Sequence, residues 1–362
     1  MVGFAGIRRN ANFWIEENIM YTSLETACIS AVEDGLLHGI VVAAGRSTSI
    51  DFLWAWGNAS VYPERRPIAV NSIFDMASVT KVIATATACG ICIDRGLLNP
   101  DAPVADYIGN IGTLNNTRIL VRDLATHVSG FSNQKVSNTD YYSFLKAIVE
   151  TPPQWLPRQR FEYSCRNFIL LGHIVELVTG TALATFCKKN IFGPLGMKST
   201  LFGPVANNLK LVVPTEQPAG IISDGQARIA GRPVGNAGLF STAEDLARFC
   251  QMMLCGSKKE LLHGKSRLWL MHACSYPTFP LHAFGWRMLK CSEALDRPQI
   301  MSHAAIGHSG WTGQSVWIDP EQDRYVIVLT NRTHQLDHSS NYDRSRSFRG
   351  AVGDILLSHL KA

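Results

Sequence analysis

The stretch Ile73-Phe74-Asp75-Met76-Ala77-Ser78-Val79-Thr80-Lys81 leads into the longest largely apolar run of the chain, residues 82–93. That run predicts a buried helix over residues 79–95, too short to span a bilayer. Cys89 and Cys92 form a C-x-x-C pair inside it. A redox pair of this kind normally opens a helix after a strand, so these two read as core packing. Lys81 is the side chain least expected in such a run. Placed three residues after Ser78 on a helix, its amine reaches the serine hydroxyl, and the helix N-terminus offers N–H groups and positive potential to an oxyanion. Desolvation would lower the lysine pKa and let the neutral amine take the serine proton. S-x-x-K alone arises by chance about once or twice in a chain of this length, mostly on surface helix turns, so the reading needs support from elsewhere.

Outward from this helix the chain divides by pattern. Residues 23–37 have helical periodicity, and residues 38–44 and 52–56 read as two strands joined by the polar turn 46–49. Near the other end, residues 315–318 and 324–330 are β-rich and flank the turn Asp319-Pro320-Glu321-Gln322-Asp323, with an amphipathic helix over 350–360. Between them lie helical segments at 79–95, 143–150, 167–178, 182–190 and 243–254. One unit is expected, with a mixed α/β lobe from about 1–75 and 280–362 and a mainly helical lobe at about 76–279. Ligand sites favour such junctions.

Composition narrows the function. The 362 residues are 46% hydrophobic and 17% charged, a balance that excludes a disordered chain. Lys+Arg of 34 against Asp+Glu of 29 leaves +5, without the basic runs of a nucleic-acid binder. Arg344, Arg346 and Arg349 read as a solvated helix entry. The nine cysteines are scattered, which reads as free thiols. Residues 1–11 show no apolar run followed by a small-residue cleavage site, so a cytoplasmic location and no membrane span are expected.

Two further segments join Ser78 and Lys81. Tyr163-Ser164-Cys165 places a phenol just before an apolar helix, and Gly307-His308-Ser309-Gly310-Trp311-Thr312-Gly313 runs into the strand at 314–318, where small residues admit a ligand backbone. The order S-x-x-K, Y-x-x, H-S-G is that of the penicillin-recognising serine enzymes. From residue 24 to 357 the chain resembles the class C β-lactamase-like serine hydrolases, which include D-Ala-D-Ala carboxypeptidases, D-aminopeptidases and related esterases. The resemblance extends to Gly96-Leu97-Leu98-Asn99-Pro100-Asp101-Ala102-Pro103-Val104, to Leu124-Ala125-Thr126-His127-Val128-Ser129-Gly130, to Ile191-Phe192-Gly193-Pro194-Leu195-Gly196-Met197 and to residues 238–246.

The resemblance implies an α+β fold of the β-lactamase/transpeptidase type: an antiparallel sheet flanked by helices, a helical lobe, and the active site at their junction. It implies Ser78 as nucleophile, Lys81 and Tyr163 as shared base and acid, and His308 with Ser309 and Gly310 as the third motif. The N–H groups of Ser78 and Trp311 would form the oxyanion hole. An acyl-serine would form and be hydrolysed with no metal or organic cofactor, on a small ester, amide or short peptide. Two departures bear on substrate. Cys165 stands where the family has the asparagine of Y-x-N and lacks its donor and acceptor, with Asn167 as a possible substitute. His308 stands in for lysine and is mostly neutral at pH 7. Both disfavour β-lactam turnover and favour an esterase or loosely specific peptidase. A ligand-binding protein of the same fold and a transacylase are the alternatives. His127 reads as structural, Trp54 and Trp56 as core, and the pair His334 and His338 as a polar loop, since Gln335 replaces the glutamate a zinc protease needs.

Overall fold

The computed structural model describes residues 11–109, 111–112, 118–133, 136, 140–255, 261–288 and 294–360, with side chains from Met20 onward. In chain order its strands are β1 (Gly39–Arg46), β2 (Ser49–Ser60), β3 (Arg66–Pro67), β4 (Phe74–Asp75), β5 (Leu201–Phe202), β6 (Leu239–Ser241), β7 (Arg287–Met288), β8 (Ile306–Ser309), β9 (Gln314–Asp319) and β10 (Arg324–Thr330). Seven form one sheet in the order β3-β2-β1-β10-β9-β8-β7, and the described pairings are antiparallel. Strands from the two ends of the sequence meet at its centre, where Val42 of β1 lies opposite Val328 of β10. A small second sheet, β4-β6-β5, holds the chain just before Ser78.

Alternation along the central strands explains why both faces of the sheet are covered. Val326 and Val328 point into one apolar cluster with Leu24, Cys28, Val352 and Leu356 of the terminal helices Ala11–Glu33 and Tyr342–His359. Tyr325, Ile327 and Leu329 point the other way, into the main core, which includes Leu246, Phe249 and Cys250 of the helix Ala243–Leu254. That helix starts where expected because Thr242 Oγ1 accepts from Asp245 N at 3.2 Å, an N-cap worth about 1 kcal/mol. Trp54 and Trp56 pack against the terminal-helix cluster, in keeping with the core reading. The architecture is the expected α+β type, an antiparallel sheet flanked by helices.

The deciding stretch departs from a continuous α-helix. Ala77–Val79 is a 3-10 turn, Lys81–Ala86 winds as a π-helix, and Thr87–Asp94 is α-helical. The wider turn lets Thr87 Oγ1 donate to Val82 O five residues back, while Thr85 Oγ1 donates to Gly235 O at 2.8 Å. Cys89 and Cys92 are buried and unpaired, and the eight described cysteines are all free; Cys291 lies outside the described residues. The apolar Ala77–Asp94 segment is long enough to cross a membrane but is almost wholly enclosed by the protein.

Other boundaries differ too. The segment expected at 182–190 becomes Leu183–Cys187, a π-turn over Lys188–Phe192 and a last turn Gly193–Leu195. The final helix starts at Tyr342 rather than 350. Its arginines correct the solvated reading: Arg344 is exposed and pairs with Asp34, but Arg346 and Arg349 are buried around the carboxylate of Asp296. A buried acid of this kind draws in the cations that a pattern of letters assigns to solvent.

Candidate active site

Asp75 sets the turn that carries Ser78. Its Oδ1 accepts from Ala77 N and its Oδ2 from Ser223 N, each at 2.7 Å, so one buried carboxylate ties the turn to the loop before Asp224. Burial pushes its pKa up to about 7 despite those two donors, with Asp224 and Glu216 adding to the rise. Ala77 has φ +42, a conformation costly for a residue with a Cβ, and the Asp75 bond holds it there.

The structure brings Ser78, Lys81 and Tyr163 together. Lys81 is fully buried, and its Nζ donates to Ser78 Oγ at 2.9 Å, to Asn236 O at 2.9 Å and to Cys165 Sγ at 3.5 Å. The half-buried Tyr163 lies beside both, with its ring centroid 5.1 Å from Nζ, and its phenol interacts with Ser78 and Lys81. The expected fall in the lysine pKa is not what this setting produces. Burial works against the ammonium, but Cys165, Tyr163 and Asp224 outweigh it and hold the pKa above that of an ordinary lysine. Burial raises the Tyr163 phenol in turn, against the opposing pull of Lys81. The resting pair is therefore an ammonium and a phenol.

The third motif forms the opposite wall. Gly310 lies so close to the Ser78 turn that a Cβ there would sit 2.5 Å from Met76 O. Thr312 Oγ1 donates to Asp75 O at 2.8 Å, locking the end of β8 against the turn. His308 is buried, and its Nδ1 donates to Ser309 O at 2.9 Å. Burial, then the cations Arg287 and Lys81, push its pKa well below the usual histidine value, so it is a neutral ring. Trp311 is 41% exposed at the mouth; its carbonyl accepts from Arg332 Nη1, and the Arg332 guanidinium lies 4.8 Å from its ring centroid.

Asn167 does not reach this cleft. It is fully buried, with Oδ1 accepting from Ser129 Oγ at 2.7 Å and Nδ2 lying 3.1 Å from His127 Nδ1. Its expected role as a substitute amide is thereby overturned, because both ends of its carboxamide are spent in the core. Cys165 does border the cleft. His127 accepts from Ser164 N at 3.2 Å, a bond that helps place Tyr163 and Cys165 on either side. His334 accepts from Val61 N through Nε2, and its Nδ1 lies 3.3 Å from Thr215 O; His338 Nδ1 lies 3.2 Å from Leu336 O.

Three residues at the site carried no sequence signal: Asn133, His282 and Arg287. They come from separate loops and strands, and only the fold collects them. The cleft has two arms meeting at Ser78. One, of about 590 Å³, is bordered by Tyr163, His282, Arg287, His308 and Arg346; the other, of about 510 Å³, by Glu216, Asp224 and Gln226. Arg287 Nη2 donates to Ser309 Oγ at 2.9 Å and to both oxygens of Asp296. His282 stacks on Phe161, and burial lowers its pKa to about 4. The cations of the first arm are thus arginines, paired with Asp296, rather than histidine, and Asp224 borders both arms.

Comparison with known proteins places this geometry. The putative D-alanyl-D-alanine carboxypeptidase of Escherichia coli O157:H7 is 28% identical over 356 residues, covering 84% of this chain and 81% of its own. The N-acetylmuramyl-L-alanine amidase of Bacillus subtilis strain 168 is 29% identical over 345 residues, covering 82% and 78%. The solved structure of EstCE1, a hydrolase with promiscuous acyltransferase activity, matches with a TM-score of 0.75 at 19% identity, over 93% of this chain and 100% of that one, a likeness of fold. The model of one family, described as beta-lactamase, matches residues 27–347. With nearly the whole sequence inside that match, the chain belongs to the beta-lactamase family.

Proposed function

We propose that the protein is a serine hydrolase that forms an acyl enzyme at Ser78 from a small ester, amide or short peptide and releases the acyl group to water. The observation that carries this reading is the 2.9 Å contact from Lys81 Nζ to Ser78 Oγ, with the Tyr163 ring 5.1 Å from Nζ, where the two arms of the cleft meet. A serine at its ordinary pKa is a poor nucleophile and needs an adjacent base. Once the Lys81–Tyr163 pair has lost one proton it can accept the serine proton, and the Lys81 charge then stabilises the alkoxide. The carbonyl oxygen of the substrate would face the N–H groups of Ser78 and Trp311, and losing either donor costs about a hundredfold or more. Tyr163 then passes the proton to the leaving group, and the same pair activates the water that resolves the acyl-serine.

The named relatives, a carboxypeptidase and an amidase, favour an amide or peptide substrate. The thiol of Cys165 and the neutral ring of His308 favour poor turnover of β-lactams. An alcohol or amine could replace water, and the same acyl-Ser78 would then serve a transacylase. A protein that only binds its ligand has no use for the contact between Ser78, Lys81 and Tyr163.

The test is a panel of p-nitrophenyl acetate, an N-acylated D-alanyl-D-alanine and benzylpenicillin. Hydrolysis of the ester and the dipeptide is expected, with penicillin slower in kcat/KM by about a hundredfold, given the lost polar contacts. No turnover of any substrate would sink the hydrolase reading. Penicillin as the fastest substrate would contradict the roles given to Cys165 and His308.

A further inference from the structure

Lys81 is shared between two side chains that can act as nucleophiles. Its Nζ donates to Ser78 Oγ at 2.9 Å and to Cys165 Sγ at 3.5 Å. The thiol is within reach of the cleft, since Cys165 is half-buried and borders both arms, whereas Cys89, Cys92, Cys187 and Cys250 are fully enclosed. The fold holds the sulfur and the nitrogen in contact. Lys81 is anchored by Asn236 O at 2.9 Å, and Cys165 opens the 15-residue helix Cys165–Thr179 with its N–H donating to Asn133 Oδ1 at 2.9 Å. Ser164 Oγ donates to Ser132 O at 2.9 Å and fixes the same turn. A cysteine oxidised to its sulfenic acid becomes an electrophile and condenses with a neighbouring thiol or nitrogen. Here the neighbour in contact is the amine that the hydrolase reading needs as its base.

We propose that Cys165 and Lys81 form a reversible sulfur–nitrogen bridge when a hydroperoxide enters the cleft, a modification that withdraws the base from Ser78. Sγ attacks the distal peroxide oxygen. The S–O bond forms as the O–O bond breaks, sulfur gives up two electrons, and the thiol proton leaves on the departing oxygen as an alcohol, or as water where the oxidant is hydrogen peroxide. Nζ, having lost its ammonium proton to solvent, then attacks sulfur. The S–N bond forms, the S–O bond breaks, and the hydroxyl leaves as water with a proton from nitrogen. One thiol, one amine and one hydroperoxide thus give a sulfenamide, an alcohol and water. Two equivalents of a thiol reductant reverse it: the first attacks sulfur and frees the amine, and the second releases Cys165 while the reductant leaves as its disulfide. The loss of activity rests on the acyl-Ser78 reading, but the bridge itself does not.

The experiment treats the full chain with hydrogen peroxide, blocks the remaining thiols with N-ethylmaleimide and maps the digest by mass. A Lys81 peptide joined to the Cys165 peptide, lighter by two hydrogens than the pair, is expected. In parallel, the rate at which a fluorophosphonate labels Ser78 should fall by about a hundredfold or more, the usual loss of a general base, and return with dithiothreitol. Cys165→Ser, compared with its own untreated sample, should keep its labelling rate through the same treatment. Cys165 recovered as a free thiol, or carrying oxygen without a link to Lys81, overturns the bridge. Equal inactivation of Cys165→Ser would place the target elsewhere and overturns the switch, and if that variant does not fold, the wild-type map decides alone. An untreated wild type that is never labelled at Ser78, while the link still forms, supports the bridge and overturns the hydrolase reading instead.

Discussion

A lysine with no exposed surface lies 2.9 Å from the Ser78 hydroxyl, and its charge decides how that serine is activated. Desolvation alone would favour a neutral amine, but Cys165, Tyr163 and Asp224 tip the balance towards the ammonium. Burial also keeps Tyr163 a phenol. Since both pKa values lie above their ordinary ones, the reactive form with one proton fewer is scarce at neutral pH and grows as pH rises. The account predicts that kcat/KM for an ester climbs about tenfold per pH unit between pH 6 and 8. His282 and His308 are held neutral through that window, so neither adds a limb near 6.5, whereas Asp75, raised to about 7, steepens the rise below pH 7 as its carboxylate forms and tightens the turn. A pH–rate profile that is flat from 6 to 8 would show that the neutral amine is already present and that desolvation had won. The spacing suggested the serine and the lysine, and the tyrosine joined them through the order of the three motifs and the family resemblance. The charge state was not legible, because it depends on partners 84 and 155 residues away in sequence.

At the scale of elements, the site depends on how closely β8 approaches the Ser78 turn. A Cβ on Gly310 would lie 2.5 Å from Met76 O and 3.3 Å from Ala77 Cβ, and the first of these is backbone that cannot swing aside. Gly310→Ala should push the strand off the turn, displace Trp311 and lower kcat about a hundredfold, the usual result of misplacing a catalytic group by about 1 Å. Steady-state kinetics beside a thermal melt would check this; near-wild-type kcat in a folded variant would mean that β8 does not set the geometry. The elements that read well from sequence carry their own signals. Short apolar runs rich in Val and Ile mark β1 and β10, and Thr242 with Asp245 marks the start of Ala243–Leu254. The 3-10 and π-windings around Ser78 carry none, since they come from tertiary bonds such as Asp75 to Ser223 and Thr85 to Gly235. The start of the final helix was missed for a similar reason, because its arginines are drawn inward by Asp296.

Across the whole molecule, strands from both ends of the chain close one sheet, and the segment between them supplies Ser78, Lys81 and Tyr163. The sequence patterns foresaw strands from both ends of the chain in one lobe, and these lie side by side in the sheet. What they could not show is the polarity of the cleft. A net charge of +5 says nothing of a cleft that gathers Arg287 and Arg346 on one arm, Glu216 on the other and Asp224 between them, as these residues are scattered through the chain. Asn133 was passed over for the same reason: its partner, the Cys165 N–H, is a neighbour only in space. The central claim is that this assembly activates Ser78, and intact-mass spectrometry tests it most directly. The protein and its Ser78→Ala variant would each be exposed to a fluorophosphonate and to a short-chain aryl ester. The account predicts a single phosphonyl adduct and a transient acyl adduct on the wild type, mapped to Ser78, and neither on the variant. An unmodified wild type, or an adduct that persists in Ser78→Ala, would contradict it.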